Sequence, residues 1–190
     1  MSDQRLVSSF ILNNLSRGVA AGSMQATAVL ADMAGFTRLT DEAMRRGEVG
    51  AEWISGVLSR AFTPFIDFVH SEGGFIAEFE GDASLAVFPG SRPELLERSK
   101  QVLEKISRAT GEDISFSTAV STGEIRWCAG GVKGNLYQLF YGNCVSEVFG
   151  RSNSLPEDAV WGLPAVKGAG FFPDVLTGRE FSGEFRTVFP

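Results

Sequence analysis

The chain has 190 residues, of which 44% are hydrophobic and 21% are charged, and these proportions are typical of one folded domain with modest extensions. The formal net charge of -6 argues against broad affinity for nucleic acid or anionic membranes, because both require a basic surface. Two cysteines, Cys128 and Cys144, are too few for a disulfide framework and lack metal-ligand spacing, so we expect a reducing, cytoplasmic location.

The first 22 residues predict an amphipathic helix rather than a signal peptide. Their apolar side chains recur near helical spacing, without a long apolar run, at Leu6, Phe10, Ile11 and Leu15. No stretch reaches the roughly 18 apolar residues that a membrane span requires, so we expect no span. The only histidine, His70, falls in a helical pattern, where a surface position is expected and histidine-based catalysis is not.

Residues 23–162 predict one domain in which strands and helices are mixed. The apolar run over residues 26–31 predicts a buried strand that stops at Asp32. A short helix over residues 40–46 and a longer one over residues 51–70 follow. The longer helix carries a core-facing stripe at three- and four-residue spacing, formed by Trp53, Ile54, Val57, Leu58, Ala61, Phe65 and Phe68.

A β-hairpin is predicted next, with strands over residues 75–79 and 83–88 joined by the turn Glu80-Gly81-Asp82. A helix over residues 95–109 begins near Pro93. Residues 114–121 alternate as a strand should, and residues 123–129 predict a neighbouring strand. The alternation assigns Ile114, Phe116, Thr118 and Val120 to one face.

The remaining residues, 163–190, differ in composition, with glycines spread among five phenylalanines. We expect either extra C-terminal strands that cover a sheet edge or a tail that orders on a partner.

This order of elements predicts an α+β fold with a ferredoxin-like βαββαβ core, in which the first and third strands lie side by side and antiparallel. The end of the first strand then meets the start of the third. Asp32 occupies the first of these positions and Asp82 the second. The pattern of elements therefore predicts that the two carboxylates lie close together.

Two neighbouring carboxylates repel each other unless a cation or a proton lies between them. Oxygen ligands in small number suit magnesium or manganese, which keep some waters and also bind substrate phosphates. Gly35-Phe36-Thr37 opens a helix beside Asp32, and the amides at a helix start are anion donors. Each aspartate alone is typical of a cap or a turn, but the pair indicates metal-assisted phosphoryl or nucleotidyl transfer.

Several segments resemble the catalytic domain of class III adenylate and guanylate cyclases. Asp32-Met33-Ala34-Gly35-Phe36-Thr37 is similar to their Asp-Ile-x-Gly-Phe-Thr motif, and residues 73–88 resemble their second-metal hairpin. Residues 119–125 resemble a later strand-turn segment, and residues 141–145 resemble the Gly-Asn/Asp-x-Val element. The resemblance covers roughly residues 26–162, and the hairpin is most like that of soluble, bicarbonate-type adenylyl cyclases and their bacterial relatives.

The resemblance implies a phosphorus-oxygen lyase that converts a nucleoside triphosphate into a 3',5'-cyclic nucleotide and pyrophosphate for intracellular signalling. It implies two Mg²⁺ or Mn²⁺ ions held by Asp32, Asp82 and the carbonyl of Met33. Phosphates would lie against the amides of Ala34, Gly35, Phe36 and Thr37, with Lys133 as a further basic candidate. It also implies a head-to-tail dimer, either a homodimer or a heterodimer with another cyclase domain.

Two positions that read the base in these cyclases differ here. Adenylate cyclases carry lysine where this chain has Glu78, whereas guanylate cyclases carry glutamate. The partner position is Leu139, which is neither the aspartate that reads adenine nor a small polar residue. The resemblance therefore predicts an altered choice of base.

Two positions that stabilise the transition state also differ. Ser146 replaces the family's asparagine, and Gly150 replaces its phosphate-contacting arginine. Arg151 follows directly, but one step along a helix turns a side chain by about 100 degrees, so only a local bulge or a shifted alignment would bring it to the site.

These departures leave two hypotheses open. The chain is either a metal-contributing cyclase domain that needs a complementary partner, or a catalytically silent cyclase-homology domain that binds nucleotide or protein. A metal-dependent nucleotidyl transferase on the related polymerase palm fold is a third, less favoured alternative.

Overall fold

The computed structural model describes residues 7–111, 114–132 and 135–151, together with the backbone of residues 165–166 and 185–186. The described helices are α1 (Ser9–Leu15), α2 (Phe36–Arg45), α3 (Gly50–Ser71), α4 (Leu95–Thr110) and α5 (Asn143–Arg151), with a short 3-10 turn at Gly47–Val49. The strands are β1 (Ala21–Ala34), β2 (Phe75–Glu80), β3 (Ala83–Pro89), β4 (Ser115–Val132) and β5 (Asn135–Tyr141), followed by β6 (Ala165–Val166) and β7 (Phe185–Arg186).

Five strands form one antiparallel sheet in the order β2-β3-β1-β4-β5. This arrangement confirms the predicted α+β fold, including the antiparallel pairing of the first and third strands of the core. The short strands β6 and β7 pair with each other, and the rest of the predicted C-terminal extension lies outside the described residues.

The sheet has apolar side chains on both faces, and each face is covered by different helices. On what we call the α1/α5 face, Ala28 and Leu30 of β1 pack with Ile11 of α1 and Val148 of α5. On the opposite, α3/α4 face, the alternating residues of β1 pack against α2, α3 and α4. The predicted stripe of α3 is confirmed, because Val57, Ala61 and Phe65 are fully buried there. His70 is exposed on α3, as expected.

Several predicted boundaries need correction. The N-terminal helix comprises only Ser9–Leu15 among the described residues, since the chain leaves the helical conformation by Gly18, whose φ is 76 degrees. Ala21 and Gly22 already belong to β1. β1 does not stop at Asp32 but continues to Ala34, since it pairs with β4 along its whole length. In consequence α2 begins at Phe36, directly after β1 and Gly35, rather than near Thr40.

Residues 114–121 and 123–129 were predicted to be two neighbouring strands, but they lie in one continuous strand, β4. Gly123 does not turn the chain; it pairs with Ala26 within the sheet. A Cβ at Gly123 would lie 3.4 Å from the Cβ of Cys144 in α5, so the glycine permits close packing of that helix on the sheet. None of the helices in the described ranges is long and apolar enough to cross a membrane.

Candidate metal and nucleotide site

The end of β1 and the β2–β3 hairpin meet at one corner of the sheet. Asp32 pairs with Ala83, the first residue of β3, and the backbone N–H of Met33 donates a 3.0 Å hydrogen bond to the carbonyl of Asp82. The N–H and C=O of one residue in an extended strand point toward the same neighbouring strand, so the Met33 carbonyl also faces the hairpin. The fold thus brings together the two aspartates and the carbonyl that were predicted from the sequence.

The electrostatics of this corner agree with close carboxylates. Partial burial raises the pKa of Asp82, and the negative charge of Asp32 raises it further, while a hydrogen bond from its own backbone opposes the shift. Both aspartates are half-buried. A carboxylate whose ionised form is disfavoured by burial and by a neighbouring negative charge is a site at which a cation would be stabilised.

A third and a fourth carboxylate lie on the same sheet edge. Glu80 pairs with Ala83, the residue that also pairs with Asp32, and its Oε2 atom is buried without a hydrogen-bond partner among the described residues. Burial raises the pKa of Glu80. Burial, reinforced by the charge of Glu80, raises the pKa of Glu78 to about 7. Sequence reasoning missed Glu80, although its two-residue spacing from Glu78 in a strand was a signal for a shared face.

The residues at this corner fit a hard divalent cation. In the part of the chain that is described, no cluster of three or more histidine, cysteine, aspartate or glutamate side chains could enclose a metal. The available donors are two carboxylates and one carbonyl, all of them oxygen atoms, beside the partly buried carboxyl group of Glu80. Such an incomplete oxygen set suits magnesium or manganese, because these ions keep waters and complete their coordination with substrate phosphates.

The start of α2 provides backbone donors directly beside the aspartates. Gly35 caps the helix with φ of 98 degrees, a left-handed conformation that a residue with a side chain adopts only at a cost. This conformation allows the chain to pass from β1 into α2 within one residue. The first N–H groups of a helix lack partners within the helix, so the amides of Phe36 and Thr37 are oriented to bind an anion.

The two predicted base-reading positions are not on the same face of the sheet. Glu78 lies on the α1/α5 face, because it pairs with Leu85, which is buried on that face. Phe140 is also buried on that face, and Leu139 is its direct neighbour in β5. Leu139 therefore points to the opposite side. The β5 residue on the face of Glu78 is Gln138, and its amide nitrogen donates to the carbonyl of Ala77. Residue-by-residue alignment does not reveal this, because it carries no information on which face a strand residue occupies.

The predicted transition-state positions lie on α5. Gly142 precedes the helix with φ of 127 degrees, and a Cβ there would lie 2.9 Å from the carbonyl oxygen of Glu124, so only glycine fits. Ser146 and Gly150 are both exposed, and a Cβ at Gly150 would meet nothing within 4 Å. Arg151 is the last residue of α5, but its side chain lies outside the described part, as does Lys133.

The fold has clear counterparts among solved structures. No protein-family model matches the sequence, and no curated protein is similar to it in sequence. The guanylyl cyclase Cya2 matches 69% of this chain at 19% identity with a TM-score of 0.55, and 70% of that chain is covered. A bacterial light-regulated adenylyl cyclase matches 76% of this chain at 14% identity with a TM-score of 0.60, but only 45% of that chain is covered.

A third match is a class III adenylyl cyclase-like ATP-binding protein from Pseudomonas aeruginosa, with 17% identity, a TM-score of 0.50, and coverage of 72% of this chain and 33% of that chain. These neighbours confirm, at the level of fold, the resemblance to class III cyclase domains. At such identities the likeness establishes the fold and leaves the activity to be argued from the site.

Proposed function

We propose that this chain is the metal-contributing domain of a class III nucleotidyl cyclase, forming a 3',5'-cyclic nucleotide and pyrophosphate from a nucleoside triphosphate. The proposal rests on one observation above all: the β1–β3 pairing brings Asp32 next to the hairpin turn that carries Asp82. The hairpin sequence further favours the soluble adenylyl cyclase type within this class.

In this proposal the chain's own residues hold and orient the substrate. Asp32, Asp82 and the Met33 carbonyl would hold two magnesium or manganese ions, which neutralise the triphosphate charge and polarise the reacting phosphate. The amides of Ala34, Gly35, Phe36 and Thr37 would bind phosphate oxygens at the start of α2, with Lys133 as a further basic candidate. Most of the rate enhancement from such a site would come from positioning and charge neutralisation.

The residues on α5 argue for a complementary partner. Ser146 is shorter than the expected asparagine, and Gly150 has no side chain to stabilise charge in the transition state. Loss of one well-placed charge-stabilising group typically costs on the order of a hundredfold to a thousandfold in rate. A homodimer of this chain would therefore be a poor cyclase. In a heterodimer, the second domain would provide the asparagine and the arginine. The cyclic nucleotide formed by such a pair would serve in intracellular signalling.

A catalytically silent nucleotide-binding module is the second candidate, and the same α5 positions favour it. One structural neighbour carries the description of a class III adenylyl cyclase-like ATP-binding protein. In this alternative Asp32 and Asp82 would still bind a metal-nucleotide complex, but the bound nucleotide would serve as a signal to a partner and would not react.

The two candidates are separated by product formation and binding measured on the same protein. The purified chain, alone and with a complementary cyclase domain, is incubated with each of the four nucleoside triphosphates and manganese, and products are resolved by chromatography. We expect a cyclic product with the partner present, and none in Asp32→Ala or Asp82→Ala.

Metal-dependent nucleotide binding without product, even with the partner, would establish the silent module. Nucleotide binding that survives both aspartate substitutions would reject the metal site in either candidate. Asp67→Ala on α3 is the matched control, because Asp67 is an exposed helix residue away from the hairpin.

A further inference from the structure

Both halves of the proposed cyclase centre lie on the same face of the sheet. Asp32 alternates along β1 with Leu30, which is buried on the α1/α5 face, so the side chain of Asp32 is directed to that face. The helix α5 packs on the same face through Val148. Two domains that share one centre, with the metal corner of one against α5 of the other, would therefore meet through this face.

The helix α1 lies on this face and contacts both edges of the sheet. Phe10 stacks on Phe75 of β2 with ring centroids 4.5 Å apart, and it packs edge-on against Trp127 of β4 at 5.2 Å. It also contacts Phe140 of β5 at 6.1 Å. Ile11 is fully buried in the same cluster. A helix of seven residues thus covers apolar side chains on the face through which the domains would meet.

One side chain of β5 holds α1 in this position. β2 and β5 are separated by three strands, so a flat sheet would place them about 19 Å apart. The amide nitrogen of Gln138 in β5 nevertheless donates to the carbonyl of Ala77 in β2, which means that the sheet curls over the α1/α5 face. Its Oε1 accepts a 2.7 Å hydrogen bond from the N–H of Ser8, the N-cap of α1. The curled strand and α1 therefore close the face together.

α1 has little stability of its own. Isolated helices shorter than about 12–15 residues are marginal in water, and α1 has seven. Its N-terminal cap is weak, because the Ser8 hydroxyl accepts from the N–H of Ile11 at 3.4 Å. It has no acidic residue in its first turn and no basic residue in its last turn to favour the helix dipole. The order of α1 therefore depends on its contacts with the sheet.

Release of α1 would uncover a contiguous apolar surface that includes Phe75, Trp127 and Phe140. Apolar surface of this kind favours burial against a partner. The outer side of α1 instead carries the exposed polar side chains of Ser9 and Asn13, which are poorly suited to the core of an interface. The uncovered face is thus the better surface for another domain to bind.

We propose that α1 is an autoinhibitory strap that occupies the α1/α5 face of the single chain and competes with a second cyclase domain for it. This inference rests on the proposed function, in which such a domain completes the centre. The second domain binds only molecules from which α1 has been released, so its apparent affinity is lowered in proportion to their fraction. The strap therefore links the folding of seven residues to assembly of the centre.

The test compares Asn13→Pro with Ser9→Pro, two substitutions that introduce the same side chain at exposed positions of α1. At residue 13 proline removes an N–H from the interior of the helix and so breaks α1. At residue 9, the first position of the helix, proline is tolerated, and Ser8 before it has the extended ψ of 153 degrees that proline requires. Neither substitution alters a side chain that contacts the sheet.

Two quantities are measured. The first is the affinity for a class III cyclase domain whose own metal aspartates are replaced by alanine, followed by surface plasmon resonance. The second is the solvent exposure of the Trp127 ring, followed without that domain by fluorine NMR of protein labelled with 5-fluorotryptophan. Trp127 is buried beside Phe10 in the unaltered chain, so release of α1 should expose it.

We expect Asn13→Pro to expose Trp127 and to tighten binding of the second domain by up to about a hundredfold. Ser9→Pro should leave both quantities close to those of the unaltered protein. The direction of the change separates a strap from a merely structural role, because loss of a helix that supports the interface would weaken binding.

Ser9→Glu together with Asn13→Lys tests the opposite direction without a helix-breaking residue. The pair adds an acid to the first turn of α1 and an ion pair at i, i+4 spacing on its exposed side. It should weaken binding of the second domain about threefold and leave Trp127 buried.

Measurable binding that is unchanged or weaker in Asn13→Pro would overturn the inference, as would a Trp127 ring that stays buried in that variant. If Asn13→Pro does not fold, unchanged or tighter binding by Ser9→Glu with Asn13→Lys would overturn it. If Trp127 becomes exposed and neither the unaltered protein nor Asn13→Pro binds the second domain, the pairing in the proposed function is overturned instead.

Discussion

At the scale of single residues, the site is a cluster of carboxyl groups whose ionised forms are disfavoured in the folded chain. Asp82, Glu80 and Glu78 all have a raised pKa, with burial as the leading cause. Burial of charge costs free energy unless a partner compensates. Such a cost at one sheet corner is typical of a binding site, where a ligand provides the missing compensation.

The raised pKa of Glu78 predicts a specific pH dependence of stability without metal. Between pH 4.5 and about 7 the folded protein retains a proton on Glu78 that the unfolded chain has lost, so the free energy of unfolding falls as pH rises through this range. In Glu78→Gln the free energy of unfolding should fall by about 1 kcal/mol less over this pH range than in the unaltered protein, after allowance for solvent screening. Urea unfolding from pH 4 to 8 measures this difference. The control is Glu104→Gln at an exposed position of α4, which should show the same pH dependence as the unaltered protein.

Asp82→Asn should separate stability from metal binding. The substitution removes a partly buried charge that is repelled by Asp32, so we expect the metal-free variant to melt at a higher temperature. It also removes a metal ligand, so we expect manganese to raise the melting temperature of the unaltered protein but not of the variant. Asp67→Asn, on the exposed face of α3, is the control. An equal manganese shift in Asp82→Asn would contradict a role for Asp82 in binding.

At the scale of elements, hydrophobic periodicity predicted the helices and turns that depend on residues close in sequence. The order of the strands predicted that Asp32 and Asp82 lie close together. The α3 stripe and the hairpin turn followed from spacing alone, because helices and hairpins depend on residues close in sequence. The continuity of β4 could not be predicted in this way. A glycine such as Gly123 is typical of a turn, and its role in close packing is evident only once α5 is seen to lie against it. The irregular pairing of β2 with β3 between Ile76 and Glu78 could not be predicted either, since the side chain that donates a hydrogen bond to the Ala77 carbonyl there is that of Gln138, 61 residues away.

α1 is a small element with a large share in the packing of its face. Ile11 is fully buried among residues of the sheet and α5, so Ile11→Ala should lower the free energy of unfolding by about 2–4 kcal/mol. Leu12→Ala, one residue along and only half-buried, should cost less than about 1 kcal/mol. Chemical denaturation of the two variants measures the difference, and similar losses for both would mean that α1 does not dock through Ile11.

α5 offers a test of whether the missing transition-state groups limit activity. Ser146 and Gly150 are exposed, and the open space around Gly150 accepts a longer side chain. The double variant Ser146→Asn with Gly150→Arg should fold at least as well, because arginine in a helix is favoured over glycine by up to about 1 kcal/mol. With manganese and a nucleoside triphosphate it should raise cyclic nucleotide formation, by up to about a hundredfold.

The matched control for this gain is Ser55→Asn with Ser59→Arg on α3, which introduces the same two side chains, four residues apart, at exposed positions of a helix on the other face of the sheet. If the α5 double variant folds, binds nucleotide with metal and still forms no cyclic product, the absence of these two side chains does not explain a lack of activity in this chain.

At the scale of the whole molecule, the chain has the residues for one half of the proposed cyclase centre but not for the other. The corner formed by β1, α2 and the hairpin carries the metal ligands and the backbone amides that we propose for phosphate, whereas α5 carries neither of the expected transition-state side chains. Head-to-tail pairing would set the metal corner of one domain against α5 of the other. Under the proposed function, this chain would contribute the metal half of a site to such a pair.

Complementation between two inactive proteins tests this directly. The second protein is a homodimeric cyclase domain of the same class whose metal aspartates are replaced by alanine, so that it retains the asparagine and arginine but forms no product alone. Mixed with this chain, it should form cyclic nucleotide at a rate that rises with the concentration of either protein and saturates as heterodimers fill. The same mixture made with Asp32→Ala should stay inactive, because the only intact metal site would be lost. If size-exclusion chromatography detects the heterodimer and no product forms, the chain does not contribute a working metal half, and nucleotide binding alone would remain as its role.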